Sequence, residues 1–376
     1  MSSRKNLILI LLITILIFSA CNKANQDSEN MVPANNPSES YPGPADSENQ
    51  STGYPIQQSE PAVTNAYPEP IKTEPASGED SNSLDIISEF SIDEPARMKW
   101  CADQKCISMM GYGFLKVFSY PNFNELFSYK IQEDEYLLDI NSDGKTYATT
   151  VNNEEIIIKN WETEDEYVIQ TDTFFMSAAF SPDGSHIMVT KMDEWGASIF
   201  DLKSGELITT LTGFETAAPV YDVRYGESNE FAIWMSRGTI QVSEIATNQL
   251  FSAIFHQDFI IGYDLNNAGT LLATSAAETT NDEFHPTVFL YDFKTGELIH
   301  KFTTEKSVYS LHFSPDDSLL ALANGNSIAM LDMNTFEVTN YFVSNDVAIS
   351  QVLFSPDGMI LVNSDEGLRF TFWRLN

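Results

Sequence analysis

One turn is written three times in this chain. The stretches AAFSPDGSHIMVT (178–190), LHFSPDDSLLALA (311–323) and VLFSPDGMILVN (352–363) each set Ser-Pro-Asp between two apolar runs. Pro and Asp suit the early positions of a tight turn, and Gly accepts positive φ at its end, so each stretch reads as a β-hairpin. Looser copies follow the same plan: KWCADQKCISM from Lys99, INSDGKTYATT from Ile140, RYGESNEFAIW from Arg224 and LNNAGTLLATS from Leu265.

About 20 residues after each turn comes a second hairpin signal, clearest in IFDLKSGELITTL from Ile199 and LYDFKTGELIHKF from Leu290. MLDMNTFEVTNYF from Met330, KVFSYPNFNELFSYKI from Lys116 and QVSEIATNQLFSAIF from Gln241 are looser versions. Four short strands per unit, repeated at about 42 residues, predict the blades of a β-propeller. The turn-bearing hairpins start near Met98, Tyr136, Phe174, Val220, Ile260, Val308 and Ile349, which makes seven. The last unit stops at Asn376 after three strands, while LDIISEFSI from Leu84 has no hairpin of its own. That N-terminal strand is expected to complete the last blade, close the ring and remove a lone sheet edge.

The pattern over Leu84–Asn376 resembles the WD40-type β-propeller family. Its Gly-His and Trp-Asp dipeptides are missing here, and Phe200-Asp201, Tyr291-Asp292 and Leu331-Asp332 stand in the Trp-Asp place. The expected fold is therefore all-β: a seven-bladed WD40-like propeller over 84–376, without the buried hydrogen-bond network that those dipeptides form in the family.

The first 83 residues read differently. Arg4 and Lys5 precede an apolar run from Leu7 to Phe18, broken only by Thr14 and followed by Ser19-Ala20-Cys21. The run is about 12 residues long, short of the roughly 20 that span a bilayer as a helix, so residues 1–20 read as a secretory signal. Phe18-Ser19-Ala20-Cys21 resembles the lipobox of bacterial lipoproteins, with Phe18 where that family usually has Leu. The resemblance implies that Cys21 becomes the first mature residue, acylated on sulfur and amine, and holds the protein on the bilayer outside the cytoplasm. Residues 21–83 are rich in Pro, Ser, Asn, Gln and Glu and nearly empty of large aliphatics, so they are expected to remain a disordered tether. Tyr41-Pro42, Tyr54-Pro55 and Tyr67-Pro68 recur every 13 residues, as in a duplicated spacer or a ligand for a proline-binding module. About 60 flexible residues reach on the order of 45 Å.

Acidic residues outnumber basic ones 54 to 20, a net charge of −34 that repels phosphate backbones and excludes nucleic acid as a partner. Apart from Cys21 the cysteines are Cys101 and Cys106, on adjacent strands across a four-residue loop. They lie within disulfide reach of one another; the alternative is a pair of free thiols beside Trp100.

Sequences that carry chemistry are scarce. There is no nucleophile elbow, zinc-protease helix, phosphate loop or dinucleotide fingerprint, and no cofactor is expected. The histidines fall in strand contexts, and Asp143, Asp183, Asp316 and Asp357 read as turn caps rather than calcium ligands. One register is unusual: Lys99, Asp139, Ala179, Arg224, Asp264, His312 and Leu353 each precede the apolar residue that leads into a turn. They either line the central channel and bind something small, or pair with one another at its rim.

Recognition is expected on loops. In such propellers the a–b and c–d turns share one face, and here they are stereotyped; the b–c and d–a loops on the other face vary. KMDEWGA (191–197) carries Trp195 beside Asp193 and Glu194, TGFETAAP (212–219) carries Phe214 and Glu215, and SAAETTNDEFHPT (275–287), the longest insertion, carries Phe284 and His285. Aromatics ringed by acids suit a protein, peptide or glycan partner with apolar and basic character; alternatively these rings fold back over their own blades. The expected function is non-catalytic binding by a monomeric, membrane-anchored ring. The alternative is a propeller hydrolase or lyase with its site at the channel mouth.

Overall fold

A computed structural model describes residues 85–375 apart from 172–174, 176, 192–195, 212–219, 221, 227, 237, 281–282, 344–346 and 367. Residues 1–84 lie outside the described residues, and with them the expected signal (1–20), Cys21, the expected tether (21–83) and Leu84. Twenty-eight strands form seven four-stranded antiparallel sheets, with no helix among the described residues. The sheets are the blades of a seven-bladed β-propeller. Six run in chain order from the inner strand outward, as in Ala96–Trp100, Cys106–Gly111, Phe114–Ser119 and Glu125–Lys130 of blade 1.

The inner strands begin at Ala96, Tyr136, Ala178, Asp222, Gly262, Val308 and Ile349. Against the expected starts, the strand begins two residues earlier in blade 1, four later in blade 3 and two later in blades 4 and 5, where Val220 and Ile260 are buried ahead of the paired residues.

Ring closure follows from the missing strand. Asp85–Ser91 pairs antiparallel with Arg369–Arg374 and becomes the outer strand of blade 7. Phe90 stacks on Phe370 and Phe372 at centroid distances of 5.4 and 5.7 Å and meets Phe118 of blade 1 at 5.5 Å. The first strand thus joins one blade and seals its seam with the next.

Each repeated turn has one chemistry. Ser181, Ser314 and Ser355 donate their hydroxyls to Asp183, Asp316 and Asp357 at 2.8, 2.6 and 2.5 Å. The same hydroxyl oxygens accept the amides of His186, Leu319 and Ile360, each at 2.9 Å. Gly184 and Gly358 close their turns at φ of +70°, and Asp317 adopts +60° where the third copy lacks glycine. The apolar residue ahead of each serine packs between blades: Phe180, Phe313 and Phe354 are buried. Removing such a phenylalanine leaves a cavity that costs about 3–5 kcal/mol.

The acids at 201, 292 and 332 cap the c–d turns. Asp201 accepts the amide of Ser204 at 2.7 Å, Asp292 that of Thr295 at 2.8 Å and Asp332 that of Thr335 at 2.9 Å. Cys101 and Cys106 flank the first a–b turn with Cα atoms 5.2 Å apart, and their sulfurs are bonded.

Candidate functional site

Two regions can present side chains to a ligand: the channel ring and the variable-loop face. The seven register residues do occupy equivalent positions, opposite Ser108, Ala148, Met188, Ile233, Ala273, Ala321 and Val362 on the next strand. Their polar atoms, however, reach along the ring to the neighbouring blade. Lys99 Nζ bonds the Asp139 carboxylate at 3.0 Å and the Ile140 carbonyl at 2.7 Å. Asp139 accepts the Phe180 amide at 3.0 Å, Asp264 the Phe313 amide at 2.8 Å, and His312 Nδ1 the Phe354 amide at 3.3 Å. Where Leu353 has no polar atom, Gln351 closes the last seam through the Met98 amide and carbonyl at 2.7 and 3.0 Å. These side chains stitch blade to blade.

Arg224 differs from the rest. Its guanidinium lies 4.4 Å from the Tyr263 ring centre and bonds Asp222 at 3.1 Å. Tyr263, then Asp222 and Asp264, hold it firmly protonated despite the crowding of protein around it. Its side chain nevertheless keeps 53% of its surface open. Burial pushes the Asp264 carboxyl up, against the pull of His312, the Phe313 amide and Arg224.

The variable-loop face is built differently. Residues 275–287, expected as a loop, form the end of a long hairpin. Leu271–Thr280 and Glu283–Asp292 pair without interruption over ten residues each, where the corresponding strands of blade 6 have six. Threonine and glutamate keep the pairing going, although their polarity hides it in the sequence. The extension is pinned at its base: Thr279 Oγ1 donates to Asp258 at 2.9 Å, Lys301 bonds both Glu278 oxygens at 2.8 and 3.0 Å, and the Thr304 amide bonds the Pro286 carbonyl at 2.8 Å.

Phe284 stands 55% exposed on this hairpin, so the fold-back reading does not hold for it. His285, half-buried, sits 3.9 Å from the Glu283 carboxylate. Asp193, Glu194, Trp195 and Phe214 lie outside the described residues.

Three aromatics that the sequence reading passed over share this face. Tyr112, in the b–c turn of blade 1, is 62% exposed; Phe255 and Phe259, where blade 4 runs into blade 5, are 68% and 42% exposed. The other exposed aromatic rings among the described residues, Tyr167 and Phe251, sit on outer strands. Among the described residues, the stereotyped-turn face therefore exposes no aromatic side chain to a comparable degree. For Tyr112 a signal was available: an aromatic between Gly111 and Gly113 stands in a turn, and its ring meets Tyr136 edge-on at 6.2 Å. Phe255 ends an alternating strand and gave none.

One buried imidazole supports the hairpin. His256 bonds Thr274 Oγ1 at 3.1 Å and lies 4.6 Å from the Phe289 ring, and burial lowers its pKa to about 4. No protein-family model and no curated protein matches this chain.

Proposed function

We propose that the ring is a non-catalytic binding module of WD40-like design, held outside the cytoplasmic membrane by lipid on Cys21, and that it recognises a protein, peptide or glycan partner through its variable-loop face. The observation that carries this reading is one of polarity. Asp85, where the first strand begins, pairs with Arg374, which in turn pairs with Ile360 at the end of an a–b turn. The chain therefore enters the ring on the stereotyped-turn face, opposite the exposed Phe284, Phe255, Phe259 and Tyr112. A partner that meets the aromatic face therefore does not meet the point where the chain enters. The acids beside these rings, Asp258 and Glu283, and a net charge of −34 favour a basic, apolar partner over nucleic acid. The channel side chains support the non-catalytic reading, since Asp139, Asp264 and His312 are each engaged by a backbone amide of the next blade, Lys99 by Asp139 and Arg224 by Asp222. A closed ring without a lone sheet edge suits a monomer.

The test is an affinity capture from envelope extract with the full chain, repeated with residues 277–286 replaced by Asn-Gly. The partner should be retained by the first and lost by the second; equal capture by both removes the hairpin from the site. Acyl labelling should disappear in Cys21→Ala, and labelling that persists overturns the anchor.

A further inference from the structure

Where the ring closes there is a groove of about 710 Å³ on the stereotyped-turn face, between blades 7 and 1. Ile87 and Ser88 of the first strand form one side, Tyr120, Pro121 and Phe123 the other, and Met359 and Arg374 complete it. Its aromatic wall is held in place: Tyr120 stands edge-on to Trp100 at 5.2 Å, and Phe123 packs on Phe372 at 4.4 Å. Asp357 and Arg374 both lie within electrostatic reach of the Tyr120 phenol, but they are not equally available. Asp357 Oδ1 is committed to Ser355 Oγ and the Met359 amide at 2.5 and 3.0 Å. The Arg374 side chain is exposed, and its guanidinium makes no hydrogen bond or ion pair among the described residues. An aromatic-lined groove with a free guanidinium fits an extended, proline-rich ligand that carries a carboxylate.

The chain supplies such a segment at the right place. Tyr67-Pro-Glu-Pro-Ile-Lys-Thr-Glu-Pro75 combines an aromatic, three prolines and two glutamates. It ends ten residues before Asp85, which pairs with Arg374 at the rim of the groove. Ten residues span up to about 33 Å, enough to turn back into the groove. A short connection also holds a ligand at an effective concentration on the order of millimolar, so weak intrinsic affinity suffices.

We propose that the groove docks the chain's own segment Tyr67–Pro75, with tyrosine and proline rings against Tyr120 and Phe123 and a glutamate on Arg374. Docking covers the face at which the chain enters and fixes the ring's orientation relative to its tether.

Lys72 makes the idea measurable, because trypsin cuts after it. The protection factor is the cleavage rate of a free peptide of the same sequence divided by the rate at Lys72 in the full chain in detergent micelles. Cleavage that outlasts opening tracks the undocked population. The expected protection is about tenfold, independent of protein concentration, falling to about one in Arg374→Glu and likewise in the tether variant Glu69→Gln/Glu74→Gln, which leaves the ring untouched. Combining the changes should remove nothing more. Protection near one in the unaltered chain overturns the proposal, as does protection that survives both variants. Protection that rises with protein concentration also overturns it, by assigning the groove to a second copy.

Discussion

On the face that carries the Ser-Pro-Asp turns, one small hydrogen-bond pattern recurs: the serine hydroxyl on the aspartate, and an amide five residues on returning to the serine. On the opposite face the described connections differ from one another. One b–c connection is a Gly-Tyr-Gly turn at 111–113, another a hairpin extended to ten paired residues per strand. The same strands supply both faces, so the fold sets no such difference. Turns whose polar atoms are all occupied hold blades in register; connections free to vary in length and to expose rings are where a partner can be met. The comparison assigns stability to one face and recognition to the other, and each assignment can be broken separately.

The largest effect should come from the seam. Deleting residues 84–92 exposes the edge of Arg369–Arg374 and strips Phe90 from Phe370 and Phe372. Phe90 alone accounts for about 3 kcal/mol or more. The shortened chain should melt far lower or associate through the bare edge. An unchanged melting temperature and a monomer in ultracentrifugation would contradict closure by this strand.

The next effect lies under the recognition face and reads out as pH. His256 has its pKa lowered from 6.5 to about 4 by burial, so between these values the unfolded chain binds a proton that the ring refuses. Its contribution is fully present above pH 6.5 and declines as pH falls toward 4. Allowing for partial exposure, the loss is about 2 kcal/mol. His256→Phe should flatten the fall in melting temperature across that window relative to the unaltered chain. Parallel curves would show that the imidazole takes up its proton alike in the folded and the unfolded chain.

Smaller in stability, but not in binding, is Phe284→Ala. An exposed ring should leave the melting temperature within about a degree, since surface changes stay within roughly 0.5 kcal/mol. If Phe284 anchors the partner, affinity falls by about 2 kcal/mol, close to thirtyfold. A lower melting temperature with normal binding would move the ring from recognition to packing.

How far the sequence reveals all this depends on the range of the interaction. The turns are legible because Ser314, Asp316 and Leu319 bond within five residues, and local chemistry leaves a local signature. The closing strand is legible because one unit lacks its fourth member. The stitches between blades are legible only in their spacing: Asp139 meets Phe180 41 residues away, close to one repeat, while Asp264 meets Phe313 after 49, and in neither case does the sequence say that the carboxylate takes a backbone amide of the next blade. The hairpin at 275–287 escaped because Thr279, Thr280 and Glu283 pair as a ribbon pinned by Asp258 and Lys301, while their polarity reads as loop. Phe255 and Phe259 escaped for the converse reason, since aromatics in a strand pattern read as core.

The division between the two faces is tested most directly by amide hydrogen exchange of the full chain with and without its captured partner. The account predicts slowed exchange at 276–286 and 255–261 and none at the turns 314–319 and 355–360. Protection confined to those turns, with the hairpin unchanged, would contradict it.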